Sequence, residues 1–411
     1  MTVRSDKVLY TVTVDSVDVT SKVVLPLRAS YGFDLRIAEA SLRFRELPTG
    51  LTNWSTVQIS MGRVGTGTTG NVQRFDGYCF DTTWELWPHT MQVPCKGPLI
   101  IADVARVPED EYADQIPYGL PAVAEYLAPG IDLSVNPDTG ANWRDSDMVT
   151  WVLTKCGLAS KIVFIGGIGK YLGTIAFDQF IWRRGQSGLG YIEELDKIAL
   201  GFRTYDTIAG IRRTQTSPRT PFLDDRIDTN EATHLLEGTV NTAQLAETAN
   251  RIVVTGMDYG GYPMVAVETA GHVSPPPGLA YITYPFSSPM IELDEPDNVD
   301  NLGLSCREVA QWLIEEKNRR FYDVQIVTWQ DNLFVPGNTV YVNAPHLAGP
   351  SIGTWSGSGI LQSMWIRRVD TEIAENGAFT QRLHVRAADY YANDPAPTLP
   401  ATLGLSMEVN P

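Results

Sequence analysis

Six residues, Gly65-Thr66-Gly67-Thr68-Thr69-Gly70, spell GxGxxG directly behind a strand-like run. That pattern cradles a pyrophosphate only when a helix follows, because the helix amino terminus supplies the amide donors and the dipole. Here Val72 to Phe80 follows and alternates like a strand, which predicts a hairpin loop. Gly169-Lys170 resembles the end of a phosphate loop, yet Phe164 stands where the first glycine belongs and Tyr171 replaces the magnesium-binding Ser or Thr. No GxSxG elbow occurs, since Gly185-Gln186-Ser187 and Ser356-Gly357-Ser358-Gly359 both miss the spacing. The histidines His89, His234, His272, His346 and His384 are scattered singly, so each reads as a surface or packing residue. Cys79, Cys95, Cys156 and Cys306 form no CxxC pair, which predicts neither disulfides nor zinc and suits a reducing compartment.

Two acidic groups remain, Asp224-Asp225 and the run Glu292, Asp294, Glu295 and Asp297. The ligand spacing and central glycine of an EF-type calcium loop are missing, so solvated acidic loops are expected. Trp84 and Trp87, three apart beside Pro88, are the best candidates for an exposed aromatic platform. Asn53-Trp54-Ser55 is a glycosylation sequon that matters only on secretion. No catalytic, cofactor-binding or metal-binding residue is assigned, and no cofactor is expected.

Positioning falls to a chain of 411 residues that is 43% hydrophobic and 19% charged, a balance that predicts a packed globular protein. Lys plus Arg total 32 against 48 Asp plus Glu, a formal charge of −16. This argues against a phosphate-gripping nucleic-acid binder, whose affinity comes from Lys and Arg displacing counterions. MTVRSDKVLY has no apolar signal-like segment, and glycines interrupt the most apolar stretch, Ile162 to Phe177, so no membrane span is expected.

Residues 1–105 alternate with period two (Leu9 to Val19, Thr56 to Met61, Val72 to Phe80) and read as a first β-barrel or a small sandwich. Residues 106–142, punctuated by Pro108, Pro117, Pro121, Pro129 and Pro137, read as a connecting arm over the surface. Residues 143–215 predict a small α/β domain. A helix capped by Asp145 or Ser146 carries Met148, Val149, Val152, Leu153 and Cys156 and closes at Gly157. A strand at Lys161 to Ile165, a helix near Gly190 to Leu200 and a hairpin from Phe202 to Arg213 complete it. Residues 222–390 read as a second β-barrel with an inserted helix at about 305–319, and 391–411 as a Pro-rich tail. The fold class is therefore α+β, mainly β: two β-barrels with an intervening small α/β domain. Thr56-Val57-Gln58-Ile59-Ser60-Met61 has a counterpart in Thr339-Val340-Tyr341-Val342-Asn343-Ala344, each followed by a Gly/Ser/Thr-rich gap and another strand near Gly77 or Gly359. This is a weak internal repeat.

The block SCREVAQWLIEEKNRRFYDVQIVTW, then Pro336-Gly337-Asn338-Thr339-Val340-Tyr341-Val342, then GSGILQSMWIRRVDTEIAENGAFTQRLHVRA, resembles the closing barrel of phage tail hub or baseplate hub proteins. Asn338 stands where that family often carries an acid, and Arg74-Phe75-Asp76-Gly77-Tyr78 is the best match to its opening barrel. The resemblance implies a structural, non-enzymatic tail-tip or baseplate hub of a phage or phage-like particle, gene-transfer agents included. Three chains, each with two tube-like barrels, would form a ring that joins the sixfold tail tube to the threefold tip. The implied partners are two further copies (a homotrimer), the distal tail or tail tube protein, the tape measure protein and a tip spike or fibre. DNA would pass through without specific binding, along a lumen where Asp and Glu outnumber Lys and Arg. The implied location is the virion tail tip, after assembly in the host cytoplasm.

Two other readings stay open on residues alone. One is a β-rich hydrolase of cell-wall or surface polysaccharide using some of Asp224, Asp225, Glu292 and Asp294. The other is a carbohydrate-binding adhesin using Trp84 and Trp87.

Overall fold

The structure is a computed structural model that describes residues 7–64, 70–80, 83–85, 90–106, 130–133, 135–169, 171–172, 180–215, 223–228, 235–242, 249–259, 262–269, 277–288, 291, 305–318, 320–329, 333–344 and 360–389. It is mainly β with four α-helices among these residues, the α+β class expected: α1 (Leu99–Val104), α2 (Asp145–Lys155), α3 (Gly188–Ile198) and α4 (Cys306–Asn318).

Fourteen strands form one continuous sheet built from two modules. The first module contains, in chain order, Lys7–Val14, Val23–Gly32, Glu39–Phe44, Thr56–Val64, Val72–Cys79 and Thr90–Lys96. The second contains Leu223–Asp228, Leu235–Thr242, Arg320–Thr328, Thr339–Ala344, Ile360–Ile373 and Phe379–Asp389. Across the sheet both modules run first, fourth, fifth, sixth, third, second. The repeat extends to register. Thr56, Tyr78, Lys96, Glu39 and Ser30 lie opposite one another across one module. Thr339, Trp365, Arg386, Asp323 and Asn241 do so across the other. Residue type is kept at each step: hydroxyl, aromatic, base, acid, small polar.

The shared register places Val57, Leu42, Cys79, Val93 and Cys95 where the second module has Val340, Ile326, Ile366, Leu383 and Val385, and all ten are buried. They belong to a single core that runs through both modules, as period-two alternation toward one apolar face requires. The modules differ at their ends. Lys7–Val14 is antiparallel to its neighbour Thr56–Val64, whereas Leu223–Asp228 is parallel to Thr339–Ala344. The second module also carries an insertion between its second and third strands, a three-stranded sheet (Arg251–Tyr259, Tyr262–Thr269, Thr283–Ser287) and α4. Barrel closure is not among the described strand pairings; the two modules instead join edge to edge.

The α/β unit runs helix, strand, helix and hairpin. Ile162–Ile165 lies parallel to Gly210–Gln215, which pairs with Phe202–Thr207. Ser187 caps α3 by accepting from the Gly190 amide at 3.0 Å. At α2 the expected cap is displaced by one residue: Asp147 Oδ2 accepts from the Arg144 amide at 3.1 Å, and Asp145 turns inward. The end of the Pro-rich stretch is not a surface arm. Gly130–Asp132 pairs with Ile181–Arg183, and Ile131 and Leu133 are buried with α2 and α3. All of 107–129 and of 390–411 lie outside the described residues.

Candidate functional site: the joints between modules

None of the chemistry considered from sequence assembles among the described residues. The GxGxxG segment joins two antiparallel strands, Thr56–Val64 and Val72–Cys79, and most of it lies outside the described residues. Asp224 and Asp225 sit in a strand of the second module, while Glu292, Asp294, Glu295 and Asp297 lie outside the described residues. Trp84 stands in the short strand Thr83–Glu85, and Trp87 lies outside. His384 bonds Asp370 at 2.9 Å; His89, His234, His272 and His346 lie outside. The four cysteines are buried, and none forms a disulfide. Among the described residues no group of three His, Cys, Asp or Glu could hold a metal, and no helix is long and apolar enough to cross a membrane.

What the fold does build is joints. The first links the modules. The strand Ile360–Ile373 pairs through its first half with Thr339–Ala344 of its own module. Its second half, Arg368 to Ile373, pairs antiparallel with Gly32 to Leu27 of the other. Arg28 and Glu372 face each other in that register and form an ion pair at 2.9 Å. Arg367 reaches Asp34 at 2.6 Å. Burial works to raise the Asp370 pKa, but hydrogen bonds from His384, Ser30 and Arg368 prevail and hold it below the usual carboxylate range.

The Pro336-Gly337 turn fastens this joint to the α/β unit. Tyr205 donates its hydroxyl to Pro336 O at 2.6 Å, and its ring meets Phe33 edge-on at 4.4 Å. Tyr31 donates to Phe334 O at 3.0 Å, and burial pushes its phenol pKa up to about 12. Gly337 has φ +90°, and a Cβ there would stand 2.7 Å from Thr214 Oγ1 and 3.0 Å from Tyr205 Oη. One turn thus touches all three units, and only glycine fits it.

The second joint, between the first module and the α/β unit, is built on charge buried inside that unit. Arg213 bonds Asp196 at 2.8 Å and Asp145 at 2.5 Å, and all three side chains are within 1% of complete burial. Burial works to lower the Arg213 pKa, but the two carboxylates outweigh it and raise the value. Arg36, from the first module, reaches Asp196 at 3.0 Å and Glu193 at 2.7 Å. Beside this cluster Asp206 accepts from the Ala38 and Leu99 amides, each at 3.1 Å, and burial pushes its pKa up to about 8. A Cβ on Gly97 would collide with the Asp206 carboxylate. Lys161 and Asp76 add an ion pair at 2.5 Å. Sequence reasoning missed these residues, although a signal existed: Arg213 shares a strand face with buried Ile211, and a cation on an apolar face demands a buried partner.

No protein-family model matches the chain, and no curated relative does. Among solved structures, the tail protein from Neisseria meningitidis MC58 superposes with a TM-score of 0.57 at 9% identity, covering 92% of this chain and 96% of that one. The 43 kDa tail protein of prophage MuSo2 from Shewanella oneidensis gives 0.56 at 10% identity, with 92% and 97% covered. The chain has the fold of phage tail proteins. Prophage tail protein gp18 from Listeria monocytogenes EGD-e shares it, at a TM-score of 0.51, 10% identity, and 91% and 94% coverage. The tail-protein fold accommodates both modules, the α/β unit and the insertion, because each match spans over nine-tenths of both chains.

Proposed function

We propose that the protein is a structural, non-enzymatic hub of a phage or phage-like tail tip, three copies of which form a ring of six β modules. The observation that carries this reading is the duplicated strand order, with its five-residue register row repeated in kind. A chain that presents the same sheet twice converts a threefold assembly into a sixfold-like surface. A head-to-tail ring that closes can use it; an isologous dimer cannot. Above, the ring would meet the distal tail or tail tube protein; below, a spike or fibre; through it would run the tape measure protein and then DNA. The charge of −16 supports a bore that repels phosphate, with acids outnumbering bases on its wall.

Light scattering of the purified protein followed by negative-stain imaging tests this. Three-copy rings with a central hole are expected. A monomer with a deep cleft, or turnover of purified peptidoglycan, overturns the reading.

A further inference from the structure

Within one chain, the second module docks on the first by a defined act: the later half of its fifth strand, Arg368 to Ile373, pairs with the second strand of the first module, Leu27 to Gly32. Both halves of this joint have counterparts whose outer edges no other described strand mates. The counterpart of the docking segment is Thr83–Glu85. Thr83, Trp84 and Glu85 lie opposite Gln92, Met91 and Thr90. Asp370, Thr371 and Glu372 lie opposite Arg382, Gln381 and Thr380. The two sets coincide because Val93 and Leu383 occupy the same position, opposite Leu42 and Ile326. The counterpart of the receiving strand is Leu235–Thr242, where Val240 lies opposite Val324 as Ala29 lies opposite Ala40. Among the described residues Thr83–Glu85 pairs only with Thr90–Lys96, and Leu235–Thr242 only with Arg320–Thr328.

We propose that these two free edges mate between copies: Thr83–Glu85 of one chain adds antiparallel to Leu235–Thr242 of the next, with Thr83 opposite Asn241, Trp84 opposite Val240 and Glu85 opposite Thr239. The proposal rests on the ring reading and specifies its contact. The partner is a second copy of this chain because the internal joint is the template, and the same contact repeated head to tail continues one sheet around a closed ring. Backbone pairing supplies the affinity and register supplies the specificity. One departure from the template is chemical: Thr239 stands where the internal joint has Arg28, so the Arg28–Glu372 ion pair has no equivalent between copies.

Hydrogen bonding at the template fixes the test. Phe33 N donates to Arg367 O at 2.8 Å, so Ser30 and Asp370, three residues along in the same register, form a non-hydrogen-bonded pair. Such pairs have Cα atoms about 4.5 Å apart, within reach of a disulfide. The equivalent positions are Thr83 and Asn241. The double variant Thr83→Cys/Asn241→Cys, oxidised mildly in the full-length protein, is expected to run as covalent dimers and trimers on a non-reducing gel. The linked fraction should be at least about tenfold above that of the out-of-register variant Thr83→Cys/Val240→Cys. Val240 corresponds to Ala29, whose amide faces the joint, so Val240→Pro deletes a donor on the free edge, where proline is tolerated. It should weaken trimerisation about tenfold or more while leaving the monomer's circular dichroism and melting unchanged.

A wild-type trimer in which the in-register pair links no better than its control, or in which Val240→Pro assembles normally, overturns this pairing and leaves the ring reading standing. A wild-type monomer overturns both.

Discussion

The two joints solve the same problem by opposite means. Between the β modules, contact is a strand ladder flanked by ion pairs open to water: Arg28 is 62% exposed and Glu372 33%. Between the first module and the α/β unit, Arg36 reaches into a charge cluster buried inside that unit, Arg213 with Asp145 and Asp196, and beside it the Asp206 carboxyl group accepts from the Ala38 amide. The ladder derives its strength from backbone geometry, and its side-chain charges add little. The buried cluster costs desolvation to build and is expensive to break. The ladder therefore suits a contact repeated along a ring, because it needs only an edge and a register. The buried cluster suits a contact made once, in which the α/β unit is locked to a single module.

The largest effect expected from this contrast is at Arg213. Arg213→Met leaves buried Asp145 without its cation and Asp196 with Arg36 alone, and should cost about 3–5 kcal/mol in urea unfolding. A loss no larger than that from a surface arginine would erase the distinction between the joints. Gly337→Ala strikes the turn that touches all three units. Its positive φ alone costs an L-residue about 1–2 kcal/mol, and crowding by Thr214 and Tyr205 adds to this, so a melting temperature several degrees lower is expected.

Asp206 makes the buried joint sensitive to rising pH. Its folded pKa lies near 8 against 3.8 unperturbed. The folded state thus holds a proton that the unfolded chain has lost, and the stabilisation is complete below about pH 4 and is lost as pH rises through about 8. The melting temperature should fall across that window, and Asp206→Asn should flatten the slope. A slope unchanged in Asp206→Asn would mean that another group titrates. The smallest effect belongs to the exposed ladder: a double-mutant cycle between Arg28→Ala and Glu372→Ala should give a coupling of about 0.2–1 kcal/mol that shrinks with salt. Coupling of several kcal/mol would show that the ladder's charges matter as much as the buried ones.

Local patterns could be read from the chain. The three-four spacing of Met148, Val149, Val152 and Leu153 marks α2, and Val309 and Leu313 mark α4, where Cys306, Ala310 and Ile314 complete the buried stripe and Trp312 is only half-buried. Pairing at a distance could not be read. Nothing in Leu27 to Gly32 indicates that its neighbour lies more than three hundred residues away, because any alternating strand offers the same edge. Asp145 shows the same limit in one side chain: beside a helix start an aspartate reads as a cap, and only the fold reveals Arg213 behind it. The repeat was faint for a related reason. Lys96 for Arg386 or Glu39 for Asp323 conserves charge but not letters, and the two become equivalent only once register is known.

Ile360–Ile373 belongs to both modules at once, its first half laddered to one and its second half to the other. A force that pulls the modules apart along this strand runs lengthwise through a covalent chain. The hydrogen bonds that hold its second half are loaded in shear, all together, instead of opening one by one like a zipper. Thermal stability of the exposed ladder and its mechanical toughness are thereby separated: a contact worth little in side-chain energy can still bear tension.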